Sequence, residues 1–199
     1  MIELVFVIVV IGIIAAVALP RFESDNVQDA MDQILSDIRY TQHLALVDNV
    51  IDPTDSNWQR AFWSIRFVGC DAKTNWYYSI GSDTDHEGNI DTKEAAVDPR
   101  TGEPLIGACA ATSKKSKIYI TNKFGINNIV FTGGCTGVEH IGFDSFVRPH
   151  TGFTTSATPN YGNIMTSDCT ITFTFPSGVK QIQINKETGY AFVVGQKNQ

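Results

Sequence analysis

The sequence predicts an α+β fold in which a long N-terminal α-helix packs on a C-terminal antiparallel β-sheet or β-sandwich domain. Two observations support it: an apolar run near the N-terminus that continues into an amphipathic pattern, and alternation of apolar and polar residues toward the C-terminus. With 199 residues, the chain is long enough for one ordinary domain plus an extended element. We therefore divide it into an N-terminal helix, 1–49, and a globular β domain, 50–199.

The first part of the helix, residues 1–20, is apolar on every side. Leu4 to Leu19 contains no charged residue, and as a helix it would be about 24 Å long, somewhat short of the ~30 Å hydrocarbon core of a bilayer. Glu3 stands at the head of this run, where an unpaired carboxylate beside hydrocarbon is costly. Gly12 and Pro20 are expected to bend or open the helix locally.

The second part of the helix, residues 21–49, is amphipathic. Apolar residues recur at three- and four-residue steps and form one stripe: Val27, Met31, Ile34, Leu35, Ile38 and Ala45. Three acids line the opposite face: Asp25, Asp29 and Asp32. This part is predicted to bury a single face against the β domain, whereas the first part needs either lipid or further copies of itself.

The β domain is clearest near its end. In CTITFTF, Ile171, Phe173 and Phe175 alternate with threonines, and turn-forming residues separate this segment from VKQIQI and then from YAFVV. This pattern predicts an antiparallel meander with one buried face. Earlier segments also indicate strands: RAFWSIRFVG, NWYYSI, SKIYIT, GINNIVF and IGFDSFV.

The four cysteines, Cys70, Cys109, Cys135 and Cys169, are widely spaced and form no zinc-binding pattern with histidines. An even number of scattered cysteines indicates two disulfides made in an oxidising compartment, the alternative being buried free thiols. Three pairings are possible. We favour Cys70–Cys109 with Cys135–Cys169, because neighbouring pairs bracket single excursions between strands.

Composition and motifs exclude some functions. The net charge of −6 argues against nucleic acid as a default partner. A small basic cluster of Lys114, Lys115 and Lys117 runs against that trend, and we expect it to lie on a solvated strand edge or loop. The sequence contains no G-x-S-x-G, no H-E-x-x-H and no phosphate-binding loop. We therefore do not expect an enzyme.

The segment DTDHEGNIDTKE, residues 83–94, predicts a calcium-binding loop of the EF-hand type. Oxygen-bearing side chains occupy its first, third, fifth, ninth and twelfth places: Asp83, Asp85, Glu87, Asp91 and Glu94. Gly88 is sixth, where the chain turns sharply, and Asn89 is seventh, where a backbone carbonyl would bind. The preceding segment is predicted to be a strand, so no helix pair is implied. The alternative is an acidic, solvated surface loop.

The opening stretch MIELVFVIVVIGIIAAVALPRF resembles the mature N-terminus of type IV pilins and of the pseudopilins of type II secretion systems. The family pattern is an acid, an apolar stretch, a Gly, an Ala-rich segment and a Pro. It corresponds here to Glu3, Leu4 to Ile11, Gly12, Ala15 to Ala18 and Pro20. The resemblance covers about a ninth of the chain and implies a pilin-like fold.

The resemblance also implies how such a subunit matures and assembles. In the family, a prepilin peptidase removes a leader, and two residues, the first N-methylated, precede the position of Met1; we therefore expect the mature protein to begin before Met1. The family further implies that the carboxylate of Glu3 neutralises the N-terminal amine of a neighbouring subunit, and that Gly12 to Pro20 loses helicity on assembly. A carboxylate resting near a helix N-terminus at the membrane interface is the alternative for Glu3.

From the resemblance we expect a structural subunit of an extracellular type IV pilus. Its partners would be further copies of itself in a helical filament, the inner membrane before assembly, and the pilus assembly machinery. One alternative is a pseudopilin of a type II secretion system. Another is a minor pilin acting in adhesion or DNA uptake, for which the lysine cluster would be the contact surface.

Overall fold

The computed structural model describes residues 2–111 and 116–196, except for the side chains of residues 2 and 14–25. Two α-helices are present in these ranges, α1 (Ile2–Val47) and α2 (Ile120–Phe124). The strands in chain order are β1 (Trp63–Cys70), β2 (Asn75–Gly81), β3 (Asn128–Gly133), β4 (His140–Phe143), β5 (Pro149–His150), β6 (Cys169–Phe175), β7 (Gly178–Ile184) and β8 (Ala191–Val193).

The eight strands form two separate antiparallel sheets of four strands each. The first has the order β2-β1-β4-β5, and the second has the order β3-β6-β7-β8. In the first sheet, Ile65 pairs with Ile80 on one side and Ile141 on the other. In the second, Ile171 lies between Phe131 and Ile182. One continuous hydrophobic core includes the buried side chains of both sheets and of α1.

Our fold-class prediction, a long N-terminal helix packed on a C-terminal antiparallel β-sheet or β-sandwich domain in a pilin-like α+β arrangement, is wrong. The described side chains of α1 fall into two stretches, 3–13 and 26–47, and those of 3–13 are all exposed. Most of the regular structure after the helix is strand, divided between two sheets. The physical reason is that residues 3–13 are apolar on every side and therefore have no single face that could pack on the sheets. A long helix packed along its length on the β domain is therefore not shown.

The stretch 26–47 of α1 packs against strands of both sheets, including β1 and β8, and against α2. The predicted apolar stripe is confirmed here: Met31, Ile34, Leu35, Ile38 and Ala45 are buried, and Val27 is partly buried against the same core. Asp29 and Asp32 are exposed, as predicted, while Asp25 lies outside the described side chains. The position of this stretch is therefore fixed by one apolar face.

The predicted C-terminal meander is confirmed by the pairing of β6 with β7 and of β7 with β8. The prediction of a strand in SKIYIT is wrong, because this segment runs irregularly beside β2 and then enters α2 at Ile120. Tyr78 N–H of β2 donates to the carbonyl of Ile118 at 3.2 Å, and Trp76 N–H of β2 donates to the Thr121 hydroxyl at 2.8 Å. Gly125, at a φ of 76°, ends α2 in the left-handed conformation.

Two disulfides cross-link the domain. Cys70 at the end of β1 is bonded to Cys109, with 5.6 Å between the Cα atoms. Cys135 is bonded to Cys169 at the start of β6, with 5.1 Å between the Cα atoms. This is the pairing that the sequence analysis favoured.

Candidate functional site

The acidic loop, residues 83–94, leaves the end of β2 and returns beside it. Gly81, the last residue of β2, forms an isolated bridge with Ala95, and Ser82 N–H donates to the carbonyl of Glu94 at 3.2 Å. A side chain at position 81 would collide with Ile90 and with the Glu94 carbonyl. The glycine therefore lets the two ends of the loop approach each other closely.

The closed loop brings together three of the predicted ligands. Carboxylate oxygens of Asp83, Asp85 and Glu94, the first, third and twelfth residues of the loop, all lie within 4.8 Å of one another. The acidic side chains of Glu87 and Asp91 are exposed and are not part of this group, and Asn89 is exposed as well. The structure therefore assembles half of the predicted ligand set.

The Glu94 carboxylate organises the loop by accepting hydrogen bonds from backbone N–H groups of other loop residues. Its Oε1 accepts from the N–H groups of Thr84, at 2.7 Å, and Asp85, at 3.0 Å, and its Oε2 accepts from Asp91 N–H at 3.0 Å. Burial raises the pKa of Glu94, but these backbone donors lower it more, so the net pKa lies below its usual value. Glu94 is therefore held as a carboxylate at the mouth of the loop.

Asp83 is the buried member of the group, with 5% of its surface exposed. Its Oδ2 accepts from Gly88 N–H at 2.8 Å, while its buried Oδ1 has no hydrogen-bond partner among the described residues. Burial raises the pKa of Asp83, and the nearby carboxylates of Glu94 and Asp85 raise it further. Gly88 makes the turn with a φ of +89°, which favours glycine.

The second candidate site is the N-terminal stretch of α1. Every residue from Leu4 to Ile13 is apolar or glycine and exposed, with Phe6 as much as 75% exposed. Around Gly12 a Cβ would meet nothing within 4 Å. Glu3 is exposed at the head of this surface. The predicted roles of Met1 and of Pro20 concern residues outside the described side chains.

In the part of the chain whose side chains are described, no helix combines the length and the apolar character needed to cross a membrane. No protein-family model matches this chain, and the searches of curated proteins and of solved structures found no match.

The sequence analysis missed a buried polar cluster, which we call the Asp37 cluster and which consists of Asp37, Tyr78, Asp98 and Lys117. Lys117 Nζ lies 2.8 Å from Asp37 Oδ1 and 3.2 Å from Asp98 Oδ2, and the Tyr78 hydroxyl donates to Asp37 Oδ2. All four residues are at least nine-tenths buried. Asp37 between the apolar positions Ile34 and Ile38 was the available signal, since an acid next to a core stripe needs a partner.

The expected solvation of the lysine cluster is wrong for Lys117, which is only 9% exposed. The reason is that its ammonium group pairs with two buried carboxylates, so it is drawn inward rather than outward. Lys114 and Lys115 lie outside the described residues. A nucleic-acid contact that uses all three lysines is therefore not available in this fold.

Proposed function

We propose that this chain is a structural subunit of an extracellular filament of the type IV pilus class, assembled through the N-terminal stretch of α1. The observation that carries the proposal is the fully exposed apolar surface from Leu4 to Ile13, headed by the Glu3 carboxylate. Monomeric soluble proteins rarely expose contiguous apolar surface on this scale. The resemblance of this segment to pilin N-termini supports further copies of the chain as the partner.

The proposal includes a membrane pool of subunits before assembly and a filament core made of these stretches afterwards. Moving such a helix from lipid into a helical bundle gives little hydrophobic gain, because lipid tails are as apolar as its side chains. Close packing and charge pairing then decide whether assembly is favourable. Pairing of Glu3 with a neighbour's N-terminal amine would select the correct stagger, since any other register leaves two charges unpaired in an apolar core.

The test compares cells that express the wild-type chain, Glu3→Gln and, as a matched control for loss of one exposed carboxylate, Glu103→Gln. Shed surface filaments are purified, imaged by electron microscopy and identified by mass spectrometry. We expect the wild type and Glu103→Gln to form filaments with this chain as the main protein. Glu3→Gln should reduce them roughly tenfold or more, the loss expected for an uncompensated charge worth at least 1.4 kcal/mol.

The outcomes separate the proposal from its alternatives. A filament that stays within the cell envelope and requires a secretion system would identify a pseudopilin. Detection of the chain only as a scarce component of filaments made of another protein would identify a minor pilin. If the chain is absent from filaments of every kind, the proposal is wrong; if Glu3→Gln assembles normally, the role given to the carboxylate is wrong.

A further inference from the structure

We propose that the acidic loop binds one calcium ion. This inference does not depend on the filament proposal, because it rests on the loop geometry in the globular part of the chain. The carboxylates of Asp83, Asp85 and Glu94 converge within 4.8 Å. Asp83 is buried, with an exposed fraction of 5%. Its Oδ1 atom has no hydrogen-bond partner among the described residues.

A buried carboxylate oxygen without a partner needs a donor or a cation, because burial removes the water that would otherwise solvate it. Among the described residues, neither Asp83, Asp85 nor Glu94 forms an ion pair with a lysine, arginine or histidine. Arg60 is nearby, but its guanidinium donates to the carbonyls of Ser156 and His86, at 2.9 and 3.0 Å. Arg60 and Arg66 line the cavity beside Asp83, but neither forms an ion pair with a carboxylate of the cluster.

The ligand atoms favour calcium over other common cations. Carboxylate and carbonyl oxygens are hard ligands, which Ca²⁺ and Mg²⁺ prefer to the nitrogen and sulfur ligands typical of zinc. Ca²⁺ accepts six to eight oxygens in a flexible arrangement, whereas Mg²⁺ requires near-ideal octahedral geometry. The acidic loop provides five carboxylates and the Asn89 carbonyl within twelve residues. An abundance of oxygens on a short loop suits the larger and more adaptable ion.

The existing hydrogen bonds leave room for this role. Glu94 Oε1 already accepts three hydrogen bonds, two from Thr84 and one from Asp85, whereas Oε2 accepts one, from Asp91 N–H, and keeps a lone pair for a cation. Glu87 and Asp91 are exposed and are free of the core, so their approach to the ion requires no repacking. Asp83, Asp85 and Glu94 would form the core of the site, and the exposed residues would complete it.

The test is titration calorimetry of the full chain in a nonionic detergent, after removal of divalent ions, with CaCl₂ and in parallel with MgCl₂. We expect one Ca²⁺ per chain with a Kd of about 10⁻⁴–10⁻³ M, the range of extracellular calcium modules, and roughly tenfold weaker binding of Mg²⁺. At a hundredfold excess over Kd, calcium should raise the Tm by roughly 5–10 °C.

Two variants locate the site, and a third controls for charge. Asp83→Asn combined with Asp85→Asn, and separately Glu94→Gln, should weaken calcium binding roughly tenfold or more. Glu103→Gln combined with Glu187→Gln removes two exposed carboxylates outside the acidic loop and should leave the Kd unchanged within about twofold. Should the Asp83 variant fail to fold, Asp85→Asn alone, at an exposed position, tests the same ligand group.

The proposal is overturned by either of two results. The first is that the wild-type chain takes up no calcium at about 10 mM, well above the expected range, in which case the buried Asp83 oxygen is satisfied by its own surroundings. The second is that calcium binding is equally strong in the wild type and in the loop variants, in which case the ion lies elsewhere. Failure of filament assembly has no bearing on either measurement.

Discussion

The two described stretches of α1 both contain many apolar residues, but these residues are exposed in one stretch and buried in the other. In 3–13 every apolar side chain is exposed, with values from 43% for Val10 to 75% for Phe6. In 26–47 the apolar side chains that form one stripe are buried or, for Val27, partly buried, and Ile34 and Ile38 are completely buried. The first stretch has apolar residues on all sides, whereas the second has them on one side and polar groups on the other.

The difference shows that hydrophobicity alone does not decide where a helix packs. The stretch 26–47 is held by a matching apolar stripe and by polar contacts with specific partners: Lys117 pairs with Asp37, and Gln42 donates to the carbonyl of Gly189 at 2.6 Å. The stretch 3–13 has no comparable contacts within the described chain. It therefore remains available to a partner, which is the basis of the proposed assembly.

The largest expected effect on this comparison comes from Lys117→Met, which leaves the Asp37 and Asp98 carboxylates buried without their cation. Removing one partner of a buried ion pair costs about 3–5 kcal/mol. We expect a loss of this size in the free energy of unfolding, measured by urea denaturation of the full chain in a nonionic detergent and followed by near-UV circular dichroism.

The matched control is Lys73→Met. Lys73 Nζ lies 2.6 Å from Glu139 Oε1, but the lysine side chain is 63% exposed, so its loss should cost about 0–1 kcal/mol. Equal losses from the two substitutions would contradict the assignment of Lys117 as the buried cation that fastens α1 to the domain.

A second pair of substitutions compares the same residue type in the two stretches. Ile34→Ala removes a completely buried side chain and should lower the free energy of unfolding by about 2–5 kcal/mol. Ile8→Ala removes a side chain that is 60% exposed and should change it by less than about 0.5 kcal/mol. A comparable loss at Ile8, measured in the same detergent, would show that the N-terminal stretch also packs on the domain.

The sequence predicted those parts of the fold that depend on local periodicity. The stripe of 26–47 and the meander of β6 to β8 both follow from apolar spacing, at 3.6 and 2 residues respectively. The strand prediction for SKIYIT was wrong. In that segment the alternation of apolar and polar residues suggests that Lys117 is exposed. Its carboxylate partner Asp37 lies 80 residues away in sequence, and no local pattern reports such a distant pairing. The division of the strands between two sheets is likewise a non-local property.

The candidate calcium site was predictable only in part. Asp83, Asp85 and Glu94 were identified by their spacing, and the structure brings them together because the loop closes between Gly81 and Ala95. The spacing did not reveal that Glu87 and Asp91 are exposed and outside the cluster. The positions of the Glu87 and Asp91 side chains depend on which backbone N–H groups donate to Glu94. Those hydrogen bonds form only in the folded loop.

A third prediction uses pH to test how the stretch 26–47 is fastened. Burial raises the pKa of Asp98, but the Arg100 N–H and the Lys117 ammonium lower it more, so its net pKa lies below 3.8. A pKa that is lower in the folded state stabilises the fold at pH values above the unfolded pKa, and this stabilisation is lost as the pH falls through the folded pKa.

We therefore expect Asp98→Asn to cost about 1–3 kcal/mol near neutral pH, with little change down to about pH 5. Below about pH 3.8 the difference between wild type and variant should shrink, because the wild-type carboxyl becomes protonated as well. The measurement is urea denaturation at a series of pH values. A difference that grows in acid would mean that Asp98 is held in its neutral form, contrary to the ion pair with Lys117.

The smallest expected effect concerns the rim of the contact between α1 and the loop that carries Asp98. The Tyr40 hydroxyl donates to the carbonyl of Val97 at 2.8 Å, in surroundings open to solvent. In Tyr40→Phe, water can replace this bond at the carbonyl, so the loss should be about 0.5–1 kcal/mol, toward the lower end for a single hydrogen bond. Tyr161→Phe, at a tyrosine that is 66% exposed, is the control and should leave stability unchanged. A loss at Tyr40 as large as that of Ile34→Ala would show that the rim, rather than the apolar stripe and the Asp37 cluster, determines how this stretch of the helix is held.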